Sequence, residues 1–160
     1  FELHLMVINP LETIKDWMYN PRLKRILVHY ESTDDIKGVV EELGLLGKEI
    51  SVVLSPNTSI LVLEPLLDKI QGVMFMGVKP GFQGQNFIPD TLNQIKKFKE
   101  NKTSHFVEVD GGVNEQTLPD IIKAGADGVC PGSAIFENKN TPAKNIKNLQ
   151  KIIKNLTAKN

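Results

Sequence analysis

The chain has 160 residues and a mass of 17.8 kDa, the length of one ordinary domain and enough to bury a real core. With 41% hydrophobic and 24% charged residues the composition is that of a soluble globular protein, and Lys plus Arg equals Asp plus Glu at 19 each. No global field therefore exists to draw in nucleic acid or an anionic membrane, and neither is expected as a partner.

The first 7 residues, Phe1-Glu2-Leu3-His4-Leu5-Met6-Val7, form an apolar run, an unusual place for a natural domain to begin, with no basic-then-apolar signal segment before it. From there one short apolar strand followed by a helical stretch repeats along the chain. The predicted strands are residues 1–7, 26–30, 50–54, 72–76, 105–109 and 128–130. Near-continuous apolar runs of this kind suit parallel strands buried on both faces. In the predicted helix at 90–99, Leu92, Ile95 and Phe98 share one face, with Asp90 as the expected N-cap. In that at 115–123, Leu118, Ile121 and Ile122 do the same, with Asn114 as N-cap and Gly125 as the C-terminal stop. The last stretch, 141–156, carries Ile146, Leu149, Ile153 and Leu156 on one stripe and Lys144, Lys147, Lys151 and Lys154 elsewhere. A basic membrane-surface helix would have this pattern, but so does an outer helix with a solvated face, and the latter reading is adopted. No apolar run, 60–63 included, is long enough to span a bilayer. The single cysteine, Cys130, cannot form an internal disulfide, which fits a reducing cytoplasm. Its position at the end of a buried strand suggests a small core residue rather than a reactive thiol.

Alternating strands and helices imply a parallel sheet with right-handed crossovers, either open or closed into an eight-stranded barrel. A complete barrel takes about 200 residues or more, so six units in this length fall two short.

Four segments carry chemistry. His4 sits within the first strand, where a histidine is more often a satisfied core residue than a ligand. The fourth strand ends in Met76-Gly77-Val78-Lys79-Pro80-Gly81-Phe82-Gln83-Gly84-Gln85, a turn-forming loop whose backbone N–H groups can meet phosphate oxygens or simply reverse the chain. The fifth ends in Val109-Asp110-Gly111-Gly112-Val113-Asn114, which places a carboxylate at a strand's C-terminal end, either as an acid–base group or as a cap for the next turn. The sixth leads into Pro131-Gly132-Ser133-Ala134-Ile135-Phe136, a Gly-Ser pair opening a short helix. Barrel phosphate sites are commonly built on the loops after the last two strands. Gly111, Gly112, Gly132 and Ser133 fall there if the visible strands are the third to the eighth, which favours a barrel over an open sheet.

These strings resemble the ribulose-phosphate 3-epimerase family. The 76–85 segment is similar to that family's Met-x-Val-x-Pro-Gly-Phe-Gly-Gly-Gln loop, with Gln83 where glycine is usual, and Glu2-Leu3-His4-Leu5-Met6-Val7 is similar to its Asp-Val-His-Leu-Met-Val strand. Val28-His29-Tyr30-Glu31 and Ser55-Pro56-Asn57-Thr58 resemble its His-x-Glu strand and its Asn-Pro-x-Thr loop, with serine for asparagine; His29 is read as structural or peripheral, with no partner evident. The resemblance runs from residue 1 to 136 and implies one partial TM-type (β/α)8 barrel domain over residues 1–160, with strands three to eight present. It implies metal-dependent interconversion of D-ribulose 5-phosphate and D-xylulose 5-phosphate, with Asp110 as an acid–base residue. A six-carbon ketose phosphate, or a non-catalytic phosphosugar-binding fragment, are the competing readings. His4 and Asp110 are implied ligands of one divalent ion (zinc, iron(II), manganese or cobalt), and His4, Met6, Met76, Gly81, Phe82, Gln83, Gly84, Asp110, Gly111, Gly112, Gly132 and Ser133 are implied to contact a pentulose phosphate. The family's first two strands normally add a serine, a second metal-binding histidine and a second aspartate, none of which has a counterpart here. A gap of two strands is expected to leave two sheet edges and to uncover Leu3, Leu5 and Val7, so a second copy of the chain is a compatible partner.

Overall fold

The computed structural model describes residues 1–81, 84–101 and 104–158. Six strands, β1 (Glu2–Leu5), β2 (Arg25–His29), β3 (Glu49–Leu54), β4 (Gly72–Met76), β5 (Phe106–Asp110) and β6 (Gly128–Cys130), lie in that spatial order with every neighbouring pair parallel. Helices connect them: α1 (Pro10–Thr13), α2 (Ile36–Gly44), α3 (Asp90–Glu100) and α4 (Leu118–Ala124), then α5 (Gly132–Phe136) and α6 (Pro142–Thr157) after the last strand. Three-residue 3-10 turns follow α1 and β2, and a longer one, Ile60–Leu66, joins β3 to β4. Among the described residues no helix is long and apolar enough to cross a membrane.

Because successive strand residues point to opposite faces, the sheet builds two cores. Ile26, Val28, Ile50, Val52, Val73, Phe75, Val107 and Val109 face outward, where they pack against Val40 and Leu43 of α2, Ile95 and Phe98 of α3 and Ile121 of α4. Leu27, Val53, Met74 and Met76 face inward as a smaller cluster, with Cys130 against it. The sheet curls so far that His4 on β1 reaches Asp110 on β5, four strands away in the order. β1 and β6 are its two edges.

Several local expectations need correction. β1 stops at Leu5, leaving Met6 53% exposed, whereas Leu5 is fully covered and Leu3 and Val7 are half-buried against the outer core. The uncovered side of β1 is its inward face, not the face carrying these three. α3 takes Pro89 as its N-cap; Asp90 lies in the first turn and accepts from the Asn93 amide. α4 begins only at Leu118, with Thr117 at the N-cap position but making no side-chain cap. Asn114 instead closes the preceding turn, its side-chain oxygen accepting from the Gln116 and Thr117 N–H groups. Gly125 does end α4, in the left-handed region at φ 109°. On α6, Ile146 is exposed and its neighbour Asn145 faces inward, donating to the carbonyls of Ile135 and Asn140. One of these carbonyls lies in the last turn of α5 and the other in the α5–α6 connection, and a part-buried acceptor needs a donor more than the groove needs another methyl group. The helix otherwise packs on α4 and α5 as an outer helix.

Candidate active site at the C-terminal ends of the strands

Strand register sets Met76, Asp110 and Cys130 side by side at the tips of β4, β5 and β6. The loops after these strands converge on a cleft of about 280 Å³. Its walls come from Met6, Met76, Gly81, Gly84, Asp110, Gly111, Gly112, Gly132 and Ser133, and also from Val78, Lys79, Gln85 and Cys130. The β4 loop is tied down at both ends: the Gly77 N–H donates to the Asp110 carbonyl at 2.6 Å, and the Ile88 N–H to the Gly77 carbonyl at 2.7 Å. Between them the Gln85 amide donates to the Lys79 carbonyl. This loop lies directly on the β5 loop. Gly111 and Gly112 have φ of 95° and 69°, and a Cβ on Gly112 would stand 2.8 Å from the Phe87 Cα. Only glycine satisfies both the backbone angle and the close approach. The Gly112 carbonyl is held from below by the Thr117 hydroxyl at 2.9 Å and the Asn114 amide at 3.2 Å, which fixes this peptide's orientation.

His4 does not line the cleft wall but stands behind Asp110, its Nδ1 3.5 Å from Asp110 Oδ2. His29, read from sequence as lacking a partner, has two. Its Nε2 lies 2.8 Å from His4 Nε2, and its Nδ1 lies 3.6 Å from Glu31 Oε2. Glu31 in turn accepts the Ser55 N–H at 3.0 Å and the Thr58 hydroxyl. Burial pushes the Glu31 carboxyl up, but the hydrogen bonds from His29, Thr58 and Ser55 outweigh it and hold the group at about 2.

Cys130 is likewise more than core filling. It lines the cleft, and its Sγ lies 3.2 Å from Glu108 Oε1, to which it donates. Burial, followed by the nearby Glu108 and Asp110 charges, pushes the thiol well up, so it is an inert donor rather than a nucleophile. Glu108 points into the barrel and is buried, with its Oε2 lacking any hydrogen-bond partner among the described residues. Burial pushes its carboxyl above the usual range.

Of the residues singled out from sequence, all but Phe82 and Gln83, which lie outside the described residues, are therefore gathered at one end of the sheet. Lys79, Cys130, His29 and Glu31 were missed as site neighbours. For Lys79 the signal was present, a cation inside a glycine-containing loop. For His29 and Glu31 the family-like His-x-Glu string was a signal, but their partners lie on β1 and in the loop after β3 and leave no local pattern; for Cys130, paired with Glu108 across β5 and β6, there was none.

Two donors about 2.0–2.2 Å from a shared ion at a near-tetrahedral angle stand about 3.3–3.6 Å apart. The His4–Asp110 spacing fits one edge of such a site. Among the described residues, however, no group of three or more His, Cys, Asp or Glu side chains is arranged to hold an ion.

Parallel strands curled inward, helices outside and a cleft at the strands' C-terminal ends define an α/β protein with a partial (β/α) barrel. Solved structures agree on the fold: orotidine 5'-monophosphate decarboxylase from Sulfolobus solfataricus superposes with a TM-score of 0.68 at 14% identity, over 98% of this chain and 74% of that one. The profile of the Ribulose-phosphate 3 epimerase family matches residues 1–136, and the chain belongs to that family. It is 37% identical over 142 residues to ribulose-phosphate 3-epimerase of Chlamydia pneumoniae, covering 85% of this chain and 62% of the relative. It is 36% identical over 138 residues to that of Buchnera aphidicola, covering 84% and 60%. The chain thus spans about 60% of the length of these relatives.

Proposed function

We propose that this chain carries the phosphate-binding half and one acid–base group of a ribulose-phosphate 3-epimerase site, acting on D-ribulose 5-phosphate and D-xylulose 5-phosphate. The observation that carries this is the placement of Asp110: it ends β5, opens on the cleft bounded by Gly111, Gly112, Gly132 and Ser133, and is backed by His4. Family membership and the names of the relatives support the same reaction. Backbone N–H groups of the β5 and β6 loops suit the phosphate, and Lys79 adds a positive charge at the rim.

Epimerisation removes the carbon-3 proton from one face and returns one to the other, so it calls for two acid–base groups on opposite sides. Asp110 supplies one. His4 and Asp110 would hold a divalent ion of the zinc, iron(II), manganese or cobalt kind, which when bound stabilises negative charge on the enediolate oxygens. Two ligands are fewer than the three of a catalytic zinc site, so the isolated chain is expected to retain metal weakly. Among the described residues Asp110 is the one carboxylate lining the cleft. This favours a second reading for the chain by itself, phosphosugar binding without turnover.

One experiment separates the two. In D2O with ribulose 5-phosphate and added metal, Asp110 alone is expected to exchange the carbon-3 hydrogen for deuterium without forming xylulose 5-phosphate, and Asp110→Asn is expected to stop the exchange. Bound sugar phosphate with no exchange would leave binding as the chain's activity. Formation of xylulose 5-phosphate would mean that Asp110 performs both transfers.

A further inference from the structure

The peptide between Gly112 and Val113 is a partition between two spaces. On one side is the cleft that Asp110 lines; on the other is a hollow of about 590 Å³, lined by Asn114 and Thr117, neither of which reaches the cleft. We infer that Asn114 and Thr117 are positioning residues for the phosphate: from the hollow they hold the Gly112 carbonyl, and so aim the Val113 N–H into the cleft as an anion donor. This deepens the phosphate-binding reading above and rests on it for the identity of the anion.

Hydrogen bonding fixes the direction of each contact. Thr117 Oγ1 accepts the Asn114 N–H at 3.0 Å, so its single proton is free to go to an acceptor. Two carbonyls are in reach, Gly112 at 2.9 Å and Asn114 at 3.5 Å, and the shorter contact is the good hydrogen bond. The Asn114 amide cannot flip, because its Oδ1 accepts two backbone N–H groups, from Gln116 at 2.9 Å and from Thr117 at 3.1 Å. Its nitrogen is thereby left to donate to the Gly112 carbonyl at 3.2 Å. Among the described residues no peptide bond is cis, so a carbonyl and the N–H across its C–N bond point in opposite directions. With the Gly112 carbonyl drawn to the hollow, the Val113 N–H faces the cleft. Val113 is 3% exposed, and its N–H has no acceptor among the described residues. Buried N–H groups without a partner are rare, and one in a cleft wall beside Gly112 and Ser133 calls for an acceptor from outside the chain. Anionic oxygens form the strongest bonds with such donors. Gly112 gives the peptide no stiffness of its own, since without a Cβ its ψ turns freely. Full reversal would force Val113 to a positive φ, which a β-branched residue avoids. Losing the Thr117 hydroxyl therefore tilts the N–H out of line without inverting it.

The test is ¹H–¹⁵N correlation of the 160-residue chain titrated with inorganic phosphate. In the native chain the Val113 amide proton is expected to move downfield to saturation, together with those of Gly112 and Ser133. Thr117→Val keeps the shape and removes the hydroxyl; it should shrink the Val113 shift and weaken phosphate about tenfold, the scale of one hydrogen bond to a charged group. Thr117→Ser, which keeps the hydroxyl, should restore both. If the Gly112 and Ser133 amides respond in the native chain while Val113 does not, phosphate binds in the cleft and the role given to Asn114 and Thr117 is overturned, whether or not the variants fold. Response at none of the three would overturn the phosphate reading and this inference with it. Native affinity and a native Val113 shift in Thr117→Val would refute the positioning role. Equal losses in Thr117→Val and Thr117→Ser would refute it too, and assign the residue to packing.

Discussion

Replacing Gly112 by alanine tests the close packing of the β4 and β5 loops on which the cleft depends. At φ 69° an L-residue pays about 1–2 kcal/mol relative to a right-handed conformation. The added methyl group would also stand 2.8, 2.9 and 3.0 Å from the Cα, Cβ and N of Phe87. Those are mostly backbone atoms, so the 84–88 segment must move rather than a side chain turn, and overpacking of this kind costs about 1–3 kcal/mol. The sum is about 2–5 kcal/mol against a typical domain stability of about 5–15 kcal/mol. Two controls divide it. Gly125→Ala has a left-handed φ of 109° but meets only the flexible Lys99 side chain, so it should lose about 1–2 kcal/mol. Gly132→Ala has no atom within 4 Å and an ordinary φ at the start of α5, so it should lie within about 0.5 kcal/mol of the parent. Urea unfolding followed by circular dichroism reads the order. With a slope of about 1–3 kcal/mol per molar for a small protein, Gly112→Ala should lower the midpoint by about 0.7–5 M. Equal midpoints for Gly112→Ala and Gly132→Ala would refute the packing argument.

Ser133→Phe, which fills the cleft beside Gly112, should weaken binding of ribulose 5-phosphate at least tenfold in ³¹P NMR titration, with unchanged circular dichroism; unaltered affinity would move the phosphate elsewhere. Glu31 titrates at about 2 rather than its ordinary 4.5, so the stability it contributes is fully present above pH 4.5 and is lost as pH falls towards 2; Glu31→Gln should flatten acid unfolding across that window. Glu108 works with the opposite sign. Its raised value means that stability is lost as pH rises through its folded pKa, above 4.5, and Glu108→Gln should remove that loss. Finally, β1 and β6 are edges, and Phe1, Met6 and Ile8 are exposed at the first of them. Light scattering on this 160-residue polypeptide alone should therefore show concentration-dependent association, reduced by Met6→Lys; a monodisperse monomer at high concentration would contradict this.

Much of the architecture was legible because it rests on local pattern. Runs such as Ile50-Ser51-Val52-Val53-Leu54 are apolar on both faces, and only a parallel sheet covered on both sides needs that. The strand-end position of Asp110 and the glycine strings after β4, β5 and β6 were equally local, since a left-handed backbone or a close approach demands glycine wherever the fold places it. Sequence by itself therefore determined the strand count, the helix stop at Gly125 and the loops that bound the cleft. It did not determine which polar side chains meet. Apolar periodicity assigns Ile146 to the buried face of α6, but the unpaired carbonyls of Ile135 and Asn140 select Asn145, one residue earlier. His29 and Glu31 acquire their roles only because the sheet curls enough to set β1, β2 and the loop after β3 around one point. Hydrophobic burial is additive and non-directional, so a one-dimensional pattern encodes it well. A hydrogen bond has a direction and a reach of about 3 Å, and only the tertiary arrangement decides who lies within it.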